Sequence, residues 1–181
     1  MAADTEIKQV RDIEQERGNR QQFVTFRIGK ETYGILVYQV KEIIKPRRIT
    51  HVPNTEGYVI GVINLRGQIV PVVDLKKKLN LEDRGLKENL EERIITVEVN
   101  EALIGIKVDE VSEVIWLDED TIEPPPEVAG GIRQEYLRGV GRTGDELLVL
   151  VDLKSLLFAE GEEGGAQTEG GDTKTLAAGE K

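Results

Sequence analysis

The feature that most constrains this chain is a repeat within it. Displaced by 71 residues, Thr25, Gly34, Ile35, Val37, Val40, Glu42 and Ile44 fall on Thr96, Gly105, Ile106, Val108, Val111, Glu113 and Ile115. Displaced by 78, Gly61, Val62, Val73, Asp74, Leu75, Lys76 and Leu79 fall on Gly139, Val140, Val151, Asp152, Leu153, Lys154 and Leu157. The matches run in the same order, which is the mark of one supersecondary unit used twice. The second copy carries the longer internal connection, and that connection contains Pro124-Pro125-Pro126. A unit of about 60 residues hides only ~60% of its unfolded surface and is marginal alone. The copies are therefore expected to lean on each other and share apolar surface.

Inside each copy the pattern is that of short strands. Phe23–Ile28 alternates apolar and polar residues, and Thr32–Val37, Glu42–Ile44, Gly61–Leu65 and Gln68–Val73 follow, interrupted by Gly29, Pro46, Pro53 and Arg66-Gly67. β-branched residues punctuated by Gly and Pro at short intervals predict a barrel or sandwich rather than a βαβ fold. Helix is expected only in short pieces, at Leu75–Leu79, Leu153–Phe158 and Ile132–Leu137. The organisation that follows is a flexible segment over 1–21, a body over 22–158 and a disordered acidic tail over 159–181. Within the body the first β-module spans about 22–80, a charged linker about 80–92, and the second module about 93–158, with room for strand exchange between them. Residues 1–20 are either disordered or a loosely docked helix, since Ile7, Val10 and Ile13 make only a thin apolar face.

Composition closes off several functions. The net charge is −10, and the tail alone holds Glu160, Glu162, Glu163, Glu169, Asp172 and Glu180 against two lysines. Nucleic acid and anionic lipid, which need clustered Lys and Arg, are poor partners. There is no cysteine, so disulfides, thiolate metal sites and cysteine nucleophiles are out. No apolar run is long enough for a membrane span, and the N-terminus has no secretory h-region. A cytoplasmic location is expected, with no direct membrane insertion.

The candidate chemistry is thin. Gly139-Val140-Gly141-Arg142-Thr143-Gly144 spells a dinucleotide fingerprint, but a strand pattern follows it where a helix is required, so a hairpin turn is expected. Asp74 and Asp152 are equivalent in the repeat. They permit an acid–base hydrolase in which two carboxylates share a cleft. Each also directly precedes a short helical run, where an Asp caps the helix, and capping is the better account. His51 is the only histidine and has no companion ligands in view. Lys45-Pro46-Arg47-Arg48 reads as a solvated turn, or as a basic cluster suited to an acidic partner. Trp116 is expected in the core. No catalytic, cofactor or metal residues are assigned.

Gly61-Val62-Ile63-Asn64-Leu65-Arg66-Gly67-Gln68-Ile69-Val70-Pro71-Val72-Val73-Asp74-Leu75 resembles the signature hairpin of the CheW family of chemotaxis coupling proteins. Phe23–Phe26, Tyr33-Gly34-Ile35, Val40–Ile44, Gly105–Val111 and Tyr136–Gly141 extend the resemblance in order across residues 22–158. The resemblance implies two tandem SH3-like β-barrel subdomains. It implies a non-enzymatic adaptor, monomeric when isolated, that links the cytoplasmic hairpin tip of chemoreceptors to the regulatory domain of the histidine kinase CheA in membrane-associated arrays. Matched positions for receptor contact are Val40, Glu42, Ile43, Gly61 and Arg66. An adaptor of a related system, for twitching or gliding motility, fits the same residues. The kinase itself carries a similar domain, but 181 residues leave no room for a kinase, which favours the free adaptor.

Overall fold

The computed structural model describes residues 19–81, 91–127 and 132–158. Most of the expected 1–21 segment, the centre of the 80–92 linker and the whole 159–181 tail lie outside them. In the described residues the alternating runs become strands: β1 (Arg20–Ile28), β2 (Glu31–Leu36), β3 (Val40–Ile44), β4 (Val59–Leu65), β5 (Gln68–Asp74), β6 (Arg93–Val99), β7 (Ala102–Val108), β8 (Glu110–Asp118), β9 (Leu137–Thr143) and β10 (Glu146–Val151). One short helix follows the last strand of each copy, α1 (Leu75–Lys78) in the first and α2 (Leu153–Phe158) in the second, and Val37–Gln39, Glu119–Thr121 and Gln134–Tyr136 form short 3₁₀ turns. The protein is mainly β.

The strands make two five-stranded sheets, and each sheet draws on both copies. The first runs β8-β1-β2-β10-β9, the second β3-β6-β7-β5-β4. Renumbered by repeat, the two orders are identical: the opening hairpin of one copy sits among the three later strands of the other. Chain length explains the exchange. Only Val37–Gln39 separates β2 from β3, and only Asp109 separates β7 from β8. A strand beside β1 and antiparallel to it runs parallel to β2, so within one sheet the chain would have to return the length of β2 first. Six residues of strand span about 20 Å, and three residues reach only about 10 Å. The chain instead runs straight on from one sheet into the other.

Period-2 alternation then divides the apolar residues among three cores. Val24, Phe26 and Ile28 of β1 join Ile95, Val97 and Val99 of β6 in a central cluster that also holds Ile35, Ile106, Val108, Leu75 and Leu153. This cluster is the shared apolar surface the small repeat unit requires. Phe23, Leu36, Leu117, Leu148 and Leu150 fill a separate cluster in the first sheet. Ile44, Ile63, Leu65, Val70, Val72 and Ile94 fill its counterpart in the second.

The repeat is visible in the polar details as well. Thr25 Oγ1 donates to the Glu113 carbonyl and accepts from the Glu113 amide, at 2.8 and 3.1 Å. Its counterpart Thr96 does the same for Glu42, at 3.1 and 3.0 Å. The free side of β4 is bridged by Thr50 at Val62, and that of β9 by Glu123 at Val140. Such cover protects edge strands from pairing with other chains.

Candidate functional site

Two loops of chain converge on one exposed spot of the second sheet. β3 is an edge strand, and its pairing with β6 is irregular between Val40 and Glu42. An irregularity of this kind re-aims a side chain. Thr96, fully buried, fixes the Glu42 backbone there through both its donor and its acceptor. The other participant comes from the tip of the β4–β5 hairpin. Leu65 pairs with Gln68, leaving Arg66 and Gly67 as a two-residue turn with φ of 54° and 84°. Positive φ at both positions is the I′ geometry that matches strand twist.

From this turn the Arg66 guanidinium grips the Glu42 carboxylate with both arms, Nη1 to Oε1 and Nη2 to Oε2, the latter at 3.0 Å. β3 and β4 are opposite ends of the sheet order, so the ion pair bridges the two ends. Hydrogen bonding to Glu42, then its charge, raises the guanidinium's already high pKa. Arg66 is therefore a permanent cation. Its side chain is 75% exposed against 27% for Glu42. Exposed pairs of this kind contribute little to stability, so the arrangement fixes the direction of a cation rather than holding up the fold.

Of the other positions matched by resemblance, Ile43 is exposed beside Glu42, and Val40 is half-buried against the central core. Gly61 is buried. Its φ is 147°, and a Cβ there would collide with the Thr50 carbonyl oxygen and come within 2.7 Å of Ile49 Cγ2. Gly61 thus lets the β3–β4 connection lie against β4. Lys45, Arg47 and Arg48 in that connection are exposed, and Arg47 Nη1 donates to the Asn64 carbonyl at 3.2 Å.

The competing chemistry falls to structural roles. Asp74 Oδ1 accepts from the Lys76 and Lys77 amides, at 3.0 and 3.4 Å. Asp152 Oδ1 accepts from the Ser155 amide at 3.2 Å. Each carboxylate caps its own helix, at the end of a strand in a different sheet. The Gly139–Gly144 run is β9 turning into β10, so no helix N-terminus faces it. His51 is exposed. No group of three or more His, Cys, Asp or Glu that could hold a metal occurs among the described residues. No helix among them is long and apolar enough to cross a membrane.

Trp116 corrects a sequence expectation. It is 51% exposed rather than core, because β8 is an edge strand on which Leu117 takes the inward position. Arg20 stacks over its ring at 5.8 Å. An apolar run next to buried positions reads as core; only the strand's place at the sheet edge turns one face outward.

Comparison with known proteins agrees with this architecture. Residues 22–160 match the family model described as CheW-like domain. The Klebsiella aerogenes chemotaxis protein CheW is 39% identical over 140 residues, covering 77% of this chain and 83% of the relative. The Bacillus subtilis chemotaxis protein CheW is 34% identical over 143 residues, 79% of this chain and 90% of the relative. Among solved structures, the crystal structure of the scaffolding protein TtCheW from Thermoanaerobacter tengcongensis is similar with a TM-score of 0.70 and 38% identity, over 78% of this chain and 90% of that one.

Proposed function

The chain belongs to the CheW-like domain family, whose named relatives are chemotaxis and scaffolding proteins, and on that premise we propose that it is an adaptor coupling chemoreceptors to the histidine kinase CheA. The observation that carries the reading is the Glu42–Arg66 pair, an oriented and exposed cation beside exposed Ile43. An amphipathic helix of a receptor tip presents an apolar stripe flanked by polar groups. Exposed Ile43 and half-buried Val40 offer the apolar contact. The Arg66 fork suits carboxylates and backbone carbonyls at the helix margin.

The mechanism is binding, not bond-making. Holding receptor and kinase on one body raises the concentration each sees of the other. A receptor state that meets the Val40–Ile43 strip differently shifts the equilibrium of the complex by that difference in affinity and no more. Kinase contact is assigned to exposed strand edges and loops, and recruitment to the membrane runs through the receptor.

The test is chemical-shift mapping on the full chain with a receptor signalling-tip hairpin, and a parallel titration with the kinase regulatory domain. Shifts centred on Val40, Glu42, Ile43 and Arg66 are expected. Absence of binding to either partner at concentrations on the order of 10 to 100 μM would remove the reading.

A further inference from the structure

Arg66 occupies a backbone conformation that an arginine has no intrinsic reason to adopt. Positive φ is disfavoured for L residues other than Gly, Asn and Asp. The first position of a I′ turn normally goes to one of those three. Here it goes to Arg66, and an asparagine stands two places earlier instead. Asn64 Oδ1 accepts from the Gly67 amide at 2.8 Å, so its side chain closes a small ring around Leu65 and Arg66. Side-chain bonds of this local type set turn conformation. The carbonyl of the same residue accepts from Arg47 Nη1, which ties the hairpin to the connection leaving β3. Asn64 and Arg47 are both exposed, so neither bond serves a core.

The repeat supplies an internal control. In the second copy the position of Arg66 is taken by Gly144 and that of Asn64 by Arg142. Gly144 adopts φ of 62°, which a glycine does without steric strain. Arg142 has no turn to hold and pairs with Glu123 at 3.3 Å. At this hairpin the helper is present in the copy that puts an arginine at the first turn position and absent from the copy that puts a glycine there.

We infer that Asn64 is a positioning residue for Arg66, holding the β4–β5 turn in the conformation from which the guanidinium reaches both Glu42 oxygens, with Arg47 bracing it from the β3 side. This rests on the reading of Arg66 as a receptor contact. Asn64 touches no partner; it acts by keeping the cation pointed.

The experiment compares Asn64→Ala, Asn64→Asp, Arg66→Ala and the Asn64→Ala/Arg66→Ala double variant in the full chain. Affinity is read by calorimetry with a receptor signalling-tip hairpin, and the Arg66 side chain by its Nε–Hε NMR resonance and heteronuclear NOE. Asn64→Ala is expected to weaken binding about five- to tenfold, the factor one ordinary hydrogen bond represents. The Arg66 resonance should move toward that of a free, mobile arginine. Asn64→Asp, whose carboxylate also accepts from the Gly67 amide, should restore both. The double variant should bind no worse than Arg66→Ala alone, since positioning has no value without the group positioned. An Arg66 resonance unchanged in Asn64→Ala, or additive losses in the double variant, would overturn the inference. If Arg66→Ala itself binds at full strength, the receptor-site reading fails, and the Arg66 resonance still decides whether Asn64 positions it.

Discussion

Ile106→Ala tests the claim that the two sheets stand on one core. Ile106 lies on β7 in the second sheet, is 0% exposed, and sits in the central cluster with β1 and β2 of the first sheet. Truncating a fully buried isoleucine removes its transfer free energy and leaves a cavity the neighbours only partly close, for a loss of about 3 kcal/mol. With a urea m-value of about 2 kcal/mol/M for a body of this size, the midpoint falls by about 1.5 M. The assay exploits the single tryptophan. Trp116 is on β8, close to Ile106 along the chain but in the first sheet rather than the second, so its fluorescence reports the sheet that does not carry the altered side chain. Far-UV circular dichroism reports both. Because the core is shared, the two transitions should coincide and move together. A tryptophan transition that stays at the wild-type midpoint while the dichroism splits would refute the shared core and make the sheets independent units.

Four other outcomes follow from the same structure. Gly61→Ala should destabilise by about 2 kcal/mol or more, since the left-handed backbone strain adds to the collision with the Thr50 carbonyl; thermal unfolding measures it, and an unchanged midpoint would contradict the close approach. Asp109, buried between β7 and β8, accepts from the Gly29 amide at 2.7 Å and lies 3.6 Å from Lys76 Nζ. Asp109→Asn should cost about 1 to 2 kcal/mol and speed hydrogen exchange at Gly29. Burial, helped by Glu31, pushes Tyr33 up to about 12 from an ordinary 10.0. The fold holds its neutral form, so this stabilisation is complete below pH 10 and is lost as pH climbs through about 12. It amounts to about 2 to 3 kcal/mol, and Tyr33→Phe should abolish that part of the alkaline transition. Arg66→Ala should leave the unfolding midpoint in place while weakening receptor binding; an unfolded variant would make Arg66 structural.

Local rules carried the sequence reading where local energies decide. Strand positions followed the period-2 alternation. The two helix caps followed from Asp before Leu-Lys, and the hairpin from Arg66-Gly67. Each depends on neighbours within about four residues, so one chain suffices. Arg66 stood out at the tip of its hairpin, and Glu42 through resemblance. Their meeting was not legible, because they are 24 residues apart and join only when the sheet brings β3 and β4 toward each other. Trp116 was misplaced for the same reason: hydrophobicity says that a side chain prefers burial, and only strand order says whether burial is on offer.

By itself, the sequence determined that one β-unit occurs twice and where its turns, caps and apolar faces fall. Tertiary structure alone decided which copy each hairpin joins. Equivalent copies offer a hairpin nearly equal berths, so local preference is silent between them. The choice is made by geometry: three residues after β2 and one after β7 cannot double back along a strand, and the chain must cross to the other sheet.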